Sequence, residues 1–564
     1  MLRYNDTVAP WFPKSFQCLR DYSFQTFISD LIGGVTVGLV ALPLSMAFAI
    51  ASGLSPQAGI YCGVVTGFLI SLLGGSRTQI GGPTGAFVVV VAGIVAKYGV
   101  DGLFMCTMMA GVLLAIMGLT GMGSAVKFIP RPIVIGFTNG IALLIASTQI
   151  RDFFGLKVDK LPGEFIERME SMIEHASTFS VEETLVGVAS LMVILLFTKF
   201  VPKVPGTIVA LFGATIAVTL LNLNVQTIGT KFGGIPSGLP ALHIPQFRGR
   251  LALQLLSPAI TVAMLGAIES LLSAVVADRM TKDKHNPNTE LFAQGVANIV
   301  SPMFGGLPAT GAIARTATNI RSGAKTPVAG VIHALTLLMV LMVAAPLAKN
   351  VPMAALAAIL FVVAYNMGEW REIPEILKLG KRDVSVWAVT FLLTVFADLT
   401  VAVEFGMIMA ALVFISRVAL TTTVSQVTDD YLKDGWQHIL QDKKIPPYAT
   451  IFRIHGPFLF GSTDKLEEVE EKIPNLPLVV ILRLRNMTAI DATGLHALEM
   501  LADKLHESGR ALILCGAPWQ PLKMMKRAEF ERHVGAENLC ENVEAAISRA
   551  AIIHEDTQRG ALPA

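Results

Sequence analysis

The chain has 564 residues, 53% of them hydrophobic and only 15% charged, and its mean hydropathy is +0.61. Soluble proteins carry about 25% charged residues, which argues against a purely soluble enzyme. A net charge of +2 spread along the chain leaves no basic footprint for nucleic acid, and five scattered cysteines suggest neither a zinc site nor a disulfide framework.

About thirty largely polar residues precede the first long apolar run, so a cytoplasmic segment over 1–30 is expected rather than a cleavable signal peptide. Long uncharged runs then predict spans near 31–52, 57–74, 82–96, 102–122, 132–150, 184–201 and 205–223. A second set follows near 254–277, 289–304, 308–320, 327–348, 353–367, 384–397 and 399–416. With the N-terminus inside, every inside connection is basic, holding Arg77, Lys127 with Arg131, Lys199 with Lys203, Arg279 with Lys282 and Lys284, Arg321 with Lys325, and the run 371–382. Both termini are therefore expected in the cytoplasm, on an α-helical polytopic protein of the cell (inner) membrane.

An internal echo locates a site. Gly81-Gly82-Pro83-Thr84-Gly85-Ala86 opens the third span, and Gly305-Gly306-Leu307-Pro308-Ala309-Thr310-Gly311-Ala312 opens the tenth, seven spans later. An odd offset makes the two copies inverted, and short Gly/Pro-interrupted segments at matching places in two halves point to a transporter's midplane site. Neither segment is long enough after its proline to cross a ~30 Å core as a helix, so each is read as a half-helix preceded by extended chain. Two such amino ends facing one another offer free N–H groups and partial positive charge to an anion. Glycines 82, 85, 306 and 311 would allow a ligand to approach closely, and Thr84 and Thr310 can add hydroxyl hydrogen bonds. The plainer alternative is small-residue packing between membrane helices.

Glu269 lies well inside the eighth span, where a charged carboxylate is costly unless paired, so it is a candidate to take up and release a proton. Ser273, one turn on, can steady that carboxylate or the ligand. Arg315 in the tenth span offers fixed positive charge to an anion; the alternative for both is a structural Glu269–Arg315 ion pair. Asn139, Gln149, Asn298 and Asn319 read as interhelical hydrogen-bonding residues, and His333 as a satisfied core histidine. Asp398 and Glu404 are assigned no chemistry.

A polar linker is expected over 419–440, then a small α/β domain over 441–555 and a tail over 556–564. Runs 448–455, 478–484 and 511–515 read as strands, and 463–473, 493–508, 519–529 and 541–551 as helices. Asp491 falls where a strand hands over to a helix, so it caps that helix while Thr493 exposes a hydroxyl at its start. No phosphate loop, catalytic dyad or metal cluster is visible, so the chain is not read as an enzyme, and no cofactor is expected.

These features resemble the sulfate permease family, related to solute carrier family 26. The marks are Leu42-Pro43-Leu44-Ser45-Met46-Ala47-Phe48-Ala49, Gly82-Pro83-Thr84, the Glu269 segment and Gly306 to Asn319. The carboxyl end resembles a STAS domain, named for sulfate transporters and anti-sigma-factor antagonists. The resemblance implies fourteen spans in a seven-plus-seven inverted repeat, split into a core (spans one to four and eight to eleven) and a gate (the rest). It also implies alternating access and a homodimer. It matches Phe48, Thr84, Glu269, Ser273, Ala312 and Arg315 to residues lining the family's site; with Gly85, Thr310 and Gly311 from the glycine-rich segments, the expected substrate residues are Phe48, Thr84, Gly85, Thr310, Gly311, Ala312 and Arg315, and Glu269 with Ser273 is the expected coupling pair. Sodium-coupled bicarbonate carriers tend to carry Asp where Glu269 stands, which favours proton symport here. The stretch 264–320 looks closest to the family's bacterial C4-dicarboxylate carrier, so the expected cargo is sulfate or a dicarboxylate such as succinate or fumarate. A sodium-coupled bicarbonate transporter, an anion exchanger, and an anion channel or voltage-responsive motor are the alternatives. Asp491 and Thr493 match the STAS phosphorylation loop, implying a regulatory role and a cytoplasmic partner.

Overall fold

The computed structural model describes residues 12–20, 22–123, 130–158, 161–201, 204–234, 238, 242, 249–397, 399–427 and 445–559. Lys127, Lys203, Asp398, residues 1–11 and 21 of the expected N-terminal segment, residues 428–440 of the expected linker and the last of the tail lie outside them, as does the Glu404 side chain. The chain divides into two compact units, Met1–Ala410 and Ala411–Ala564.

The first unit is helical. The helices that fill its predicted spans are α1 (Phe24–Ala51), α2 (Pro56–Leu73), α3 (Gly85–Leu119), α4 (Arg131–Phe154), α5 (Val181–Phe200), α6 (Gly206–Leu221), α7 (Gly249–Thr281), α8 (Pro287–Val300), α9 (Ile313–Arg321), α10 (Val328–Ala348), α11 (Met353–Met367) and α12 (Lys381–Phe396). A further helix, α13 (Leu399–Thr421), runs from the first unit into the second. Each predicted span is occupied by helix, and seven helical runs among the described residues are long and apolar enough to cross a membrane on their own. The expected third and fourth spans meet without a loop, as the two parts of α3. The break is at Gly99, whose φ of 75° is a conformation that glycine adopts without steric cost.

Packing follows the inverted repeat. Helix α1 lies along α10 as its counterpart α7 lies along α3, and α2 lies on α10 as α8 lies on α3. The α3–α8 contact is backbone to backbone. A Cβ on Gly111 would stand 2.7 Å from the Ile299 nitrogen, and one on Gly118 2.7 Å from that of Phe292. Small residues permit that approach where hydrophobic driving force between helices is weak. A second group joins α4 to α11 and α12, and α5 to α6 and α11.

The second unit holds a five-stranded sheet of order β3–β4–β5–β6–β7, comprising Thr423–Gln426, Ala449–Phe458, Val479–Ile490, Ala511–Cys515 and Leu539–Cys540. The strands β1 and β2 belong to the first unit and are described below. Strand β3 is antiparallel to β4 and the other pairs are parallel. Successive residues of β5 serve opposite faces. Val480 and Leu482 join a core with Leu498 and Leu501 of α14 (Ala492–Glu507) and Met525 of α15 (Trp519–Arg527), while Val479 and Ile481 pack with Ala546 and Ala550 of α16 (Val543–Gln558). Both faces are covered, which is why the strands read as continuous apolar runs.

Three expectations are corrected. The start of the expected linker holds the end of α13 and strand β3. The expected helix over 463–473 is three short pieces, Thr463–Leu466, Glu467–Glu470 and Ile473–Asn475, because the acidic run Glu467, Glu468, Glu470 and Glu471 repels itself at helical spacing and Pro474 follows. Strand β7 was not expected; two residues carry no alternation to read.

Candidate functional site

The two glycine-rich segments meet. Strands β1 (Gly81–Gly82) and β2 (Thr310–Gly311) form an antiparallel ladder in which Gly81 faces Gly311 and Gly82 faces Thr310. The Ala312 N–H donates to the Ile80 carbonyl at 2.8 Å, extending the pairing. Extended chain at membrane depth must pair its backbone groups within the protein, and each segment supplies the other's partners. Because the ladder is antiparallel, α3 and α9 leave it in opposite directions, and their electropositive amino ends converge on it. Helix α9 has nine residues, about 14 Å, and α3 runs about 21 Å before its break at Gly99, so neither piece spans the bilayer.

Neither proline stands at the first helical position. Thr84 and Ala312 are the residues preceding the first helical turns, and Pro83 and Pro308 lie in the extended chain. There a proline's fixed φ and its restriction of the preceding residue hold the run open.

Beside the ladder, Thr84 Oγ1 donates to Glu269 Oε2 at 3.0 Å. Glu269 is half-buried on α7, and Phe48 of α1 is buried nearby. A Cβ on Gly85 would stand 3.4 Å from Phe48, 3.2 Å from Ile145 of α4 and 2.8 Å from Met367 of α11. Thr84, Gly85, Phe48 and Glu269 therefore cluster at the seam between the two helix groups.

Arg315 is 2% exposed. Its guanidinium lies over Gly82, where any side chain would collide with it, and Nη2 donates to the Pro83 carbonyl while Nη1 has no partner. The Glu269–Arg315 ion pair weighed above is absent among the described residues: the carboxylate is engaged by Thr84 and the guanidinium by Pro83. Arg315 thus places a fixed buried charge directly behind the backbone that leads into α3.

The remaining candidates hold the ladder in place. Thr310 Oγ1 donates to the Gly266 carbonyl at 2.8 Å, pinning β2 to α7. Ser273 Oγ donates to Thr316 Oγ1 at 3.1 Å rather than reaching Glu269, and Thr316 Oγ1 accepts the Ile80 N–H at 3.0 Å. The space expected for ligand at three glycines is filled by protein: Arg315 over Gly82, the Gln79 amide over Gly311, and Ser301 with Cys62 over Gly306. Gly85, the fourth, faces Met367, Ile145 and Phe48 side chains at the seam.

Several contributors went unread in the sequence. Gln79 Nε2 donates to Ser270 Oγ at 3.0 Å, and Ser270 Oγ donates to Glu290 Oε1 at 3.3 Å. Glu290 also accepts from the Gly75 N–H at 2.9 Å and Gln294 Nε2 at 3.0 Å. It is a carboxylate within the predicted ninth span, so the rule that singled out Glu269 reaches it too. Asp30 accepts the Lys325 and Thr326 N–H groups at 2.7 and 3.0 Å, tying α1 to the start of α10. Tyr22 donates to Asp30 at 3.1 Å, and burial, then the Asp30 charge, pushes its phenol up to about 12.

Of the predicted interhelical polar residues, Asn298 pairs with both the N–H and the carbonyl of Ala309 at 2.8 Å, and Asn319 donates to the Thr78 carbonyl at 2.9 Å. Gln149 turns to its neighbour Thr148. Asn139 and His333 depart from expectation: both are fully buried, and neither the amide of one nor the ring nitrogens of the other have partners. In the second unit Asp491 accepts the Gly494 N–H at 2.8 Å and the Phe460 N–H at 3.0 Å, which is helix capping, and Thr493 is exposed.

Comparison with known proteins agrees with this architecture. The sulfate permease family model matches residues 27–390, and the STAS domain model matches residues 441–546. The chain is 40% identical over 522 residues to the putative sulfate transporter YvdB of Bacillus subtilis, covering 92% of this chain and 97% of that one. It is 31% identical over 553 residues to the bicarbonate transporter BicA of Synechocystis sp., covering 95% and 96%. The solved transmembrane domain of a cyanobacterium bicarbonate transporter BicA superposes with a TM-score of 0.61 at 34% identity, covering 69% of this chain and 98% of that one. The murine Solute Carrier 26 family member A9 anion transporter shares the fold, with a TM-score of 0.84 at 17% identity over 98% and 97% of the two chains. The chain belongs to the sulfate permease family, and is a multi-pass membrane transporter of anions with a carboxyl-terminal STAS domain.

Proposed function

We propose that the chain carries a small oxyanion, sulfate first, together with a proton by alternating access. The observation that carries this reading is the Thr84–Glu269 hydrogen bond at the amino end of α3. A carboxylate there repels an anion while charged and accepts its approach once protonated, so loading of the two is mutually dependent. In this reading the anion docks against the amino ends of α3 and α9, beside Phe48, Thr84 and Gly85, with the buried Arg315 charge behind the backbone. Thr310, Gly311, Ala312 and Ser273 act by holding the ladder. The loaded group of α1, α2, α3 and α7 to α10 then shifts against the group of α4 to α6 and α11 to α13.

The transport domain is taken as residues 31–418 and the STAS domain as 441–555, in a homodimer of the cell (inner) membrane, surrounded by its lipid and with both termini cytoplasmic. Thr493, exposed beside the Asp491 cap, is the position at which a cytoplasmic partner or modifying enzyme would act. Bicarbonate is the second reading, favoured by the likeness to two bicarbonate transporter sequences and to one solved transmembrane domain.

The test is uptake of labelled sulfate, bicarbonate and succinate into proteoliposomes at two pH values, with and without a sodium gradient. Sulfate uptake driven by an inward proton gradient is the expected result. Sodium-driven bicarbonate uptake would move the assignment to the second reading, succinate uptake would support the dicarboxylate expectation, and current without saturation would make the protein a channel.

A further inference from the structure

Apart from the candidate anion site, a cavity of about 440 Å³ opens between α1, α2 and α10 of one helix group and α6 of the other. Leu42 and Met46 of α1 and Leu341 of α10 form its inner wall. Thr215 and Thr219 of α6 are the hydroxyl residues lining it. Their Oγ1 atoms donate to the Leu211 and Thr215 carbonyls, each at 2.7 Å, so they turn methyl groups rather than donors to the cavity. Buried water needs two to four polar partners, and an oxyanion needs more, so this space suits neither.

What it suits is hydrocarbon. On α6, Phe212, Ile216 and Leu220 line the same space and are 53%, 56% and 76% exposed, which in a membrane-spanning unit puts them against lipid tails and makes the cavity continuous with the lipid-facing surface. The size lies within the 300–1,000 Å³ range of ordinary ligand sites. At the α10–α11 connection the lining ends in Asn350, and the adjacent Lys349 is exposed with no carboxylate partner among the described residues. Lys349 stands beside the slot rather than in its lining, so the end is a polar amide with an exposed cation next to it, and an apolar slot so placed has the character of an anionic phospholipid site.

We propose that this cavity is a lipid site, holding an acyl chain of an anionic phospholipid between α1 and α6 with its headgroup at Asn350 and Lys349. The site joins the two helix groups, so the lipid would be a removable wedge between them; the binding claim itself does not depend on the proposed substrate or coupling.

The experiment uses the full chain in nanodiscs containing phosphatidylglycerol with a photoactivatable diazirine near the end of one acyl chain, followed by peptide mapping after irradiation. Label on Leu42, Met46 or Leu341 is expected, in addition to Phe212 and Leu220. Label confined to Phe212, Ile216 and Leu220 would mean ordinary surrounding lipid and would overturn the proposal. Thr215→Phe fills the space and should abolish inner-wall labelling while leaving Leu220 labelled. If that variant does not fold, excess unlabelled phosphatidylglycerol should displace the inner-wall label and phosphatidylcholine should not; equal displacement by both would remove the headgroup assignment.

Discussion

Thr84 and Glu269 are joined by a 3.0 Å hydrogen bond, so the residue that precedes the first turn of α3 and the ionisable side chain of α7 form one unit at the seam between the helix groups. The hydroxyl donates to the carboxyl group and leaves its other oxygen free to carry a proton.

Glu269→Gln keeps an acceptor for Thr84 and removes the exchangeable proton. Uptake by this variant should lose its pH dependence while the protein keeps its fold. A wild-type pH profile in proteoliposomes would remove Glu269 from coupling.

Arg315→Ala takes away the buried positive charge and leaves the Pro83 carbonyl without its donor. The charge acts on the anion through the intervening backbone and not by a hydrogen bond, so anion affinity measured by calorimetry should weaken by roughly tenfold, the equivalent of about 1.4 kcal/mol. Arg315→Lys should recover only part of it, because an ammonium lacks the planar fork that spans Gly82 and Pro83. Unchanged affinity in the alanine variant would take Arg315 out of the site.

Gly311→Ala places a Cβ in the Gln79 amide, whereas a Cβ on Gly93 of α3 would meet nothing within 4 Å. The first should destabilise the protein by about 1–3 kcal/mol through overpacking and disrupt the ladder. The second should be neutral or stabilising by roughly 0.5–1 kcal/mol as a helix-interior glycine is replaced. Thermal unfolding of the two variants in the same detergent makes the comparison.

Glu290→Gln sets an amide among three donors, those of Gly75, Ser270 and Gln294. One donor then faces another, at a cost of about 1–3 kcal/mol for the unsatisfied group. Thermal stability should fall while the pH profile of uptake keeps its shape, the reverse of the outcome for Glu269→Gln. A flattened pH profile would make Glu290 a proton carrier.

Asp491→Ala removes the acceptor for the Gly494 and Phe460 N–H groups. Loss of a helix cap costs about 1 kcal/mol, which amide hydrogen exchange over residues 492–507 should show as faster exchange in the first turn. Thr493→Ala leaves the cap intact and should exchange like the parent.

The membrane helices were legible because lipid imposes a one-dimensional requirement: some twenty residues without charge, written in consecutive positions. The paired glycine segments were legible for a related reason, since half-helices cannot hide their shortness. The helix starts at Gly85 and Ile313, by contrast, followed from ladder pairing and not from the prolines.

What the amino-acid order determined by itself, then, was which stretches enter the bilayer, that two of them are interrupted, and that a carboxylate and a guanidinium accompany them. Only the tertiary structure decided that Glu269 answers to Thr84 and Arg315 to Pro83, and that Gly82 and Gly311 make room for side chains of the protein itself. It also drew Gln79, Ser270 and Glu290 into one chain of hydrogen bonds. The reason is physical: a buried polar group takes whichever partner the packing brings within about 3 Å, and residues some two hundred positions apart carry no mark of that proximity in the chain.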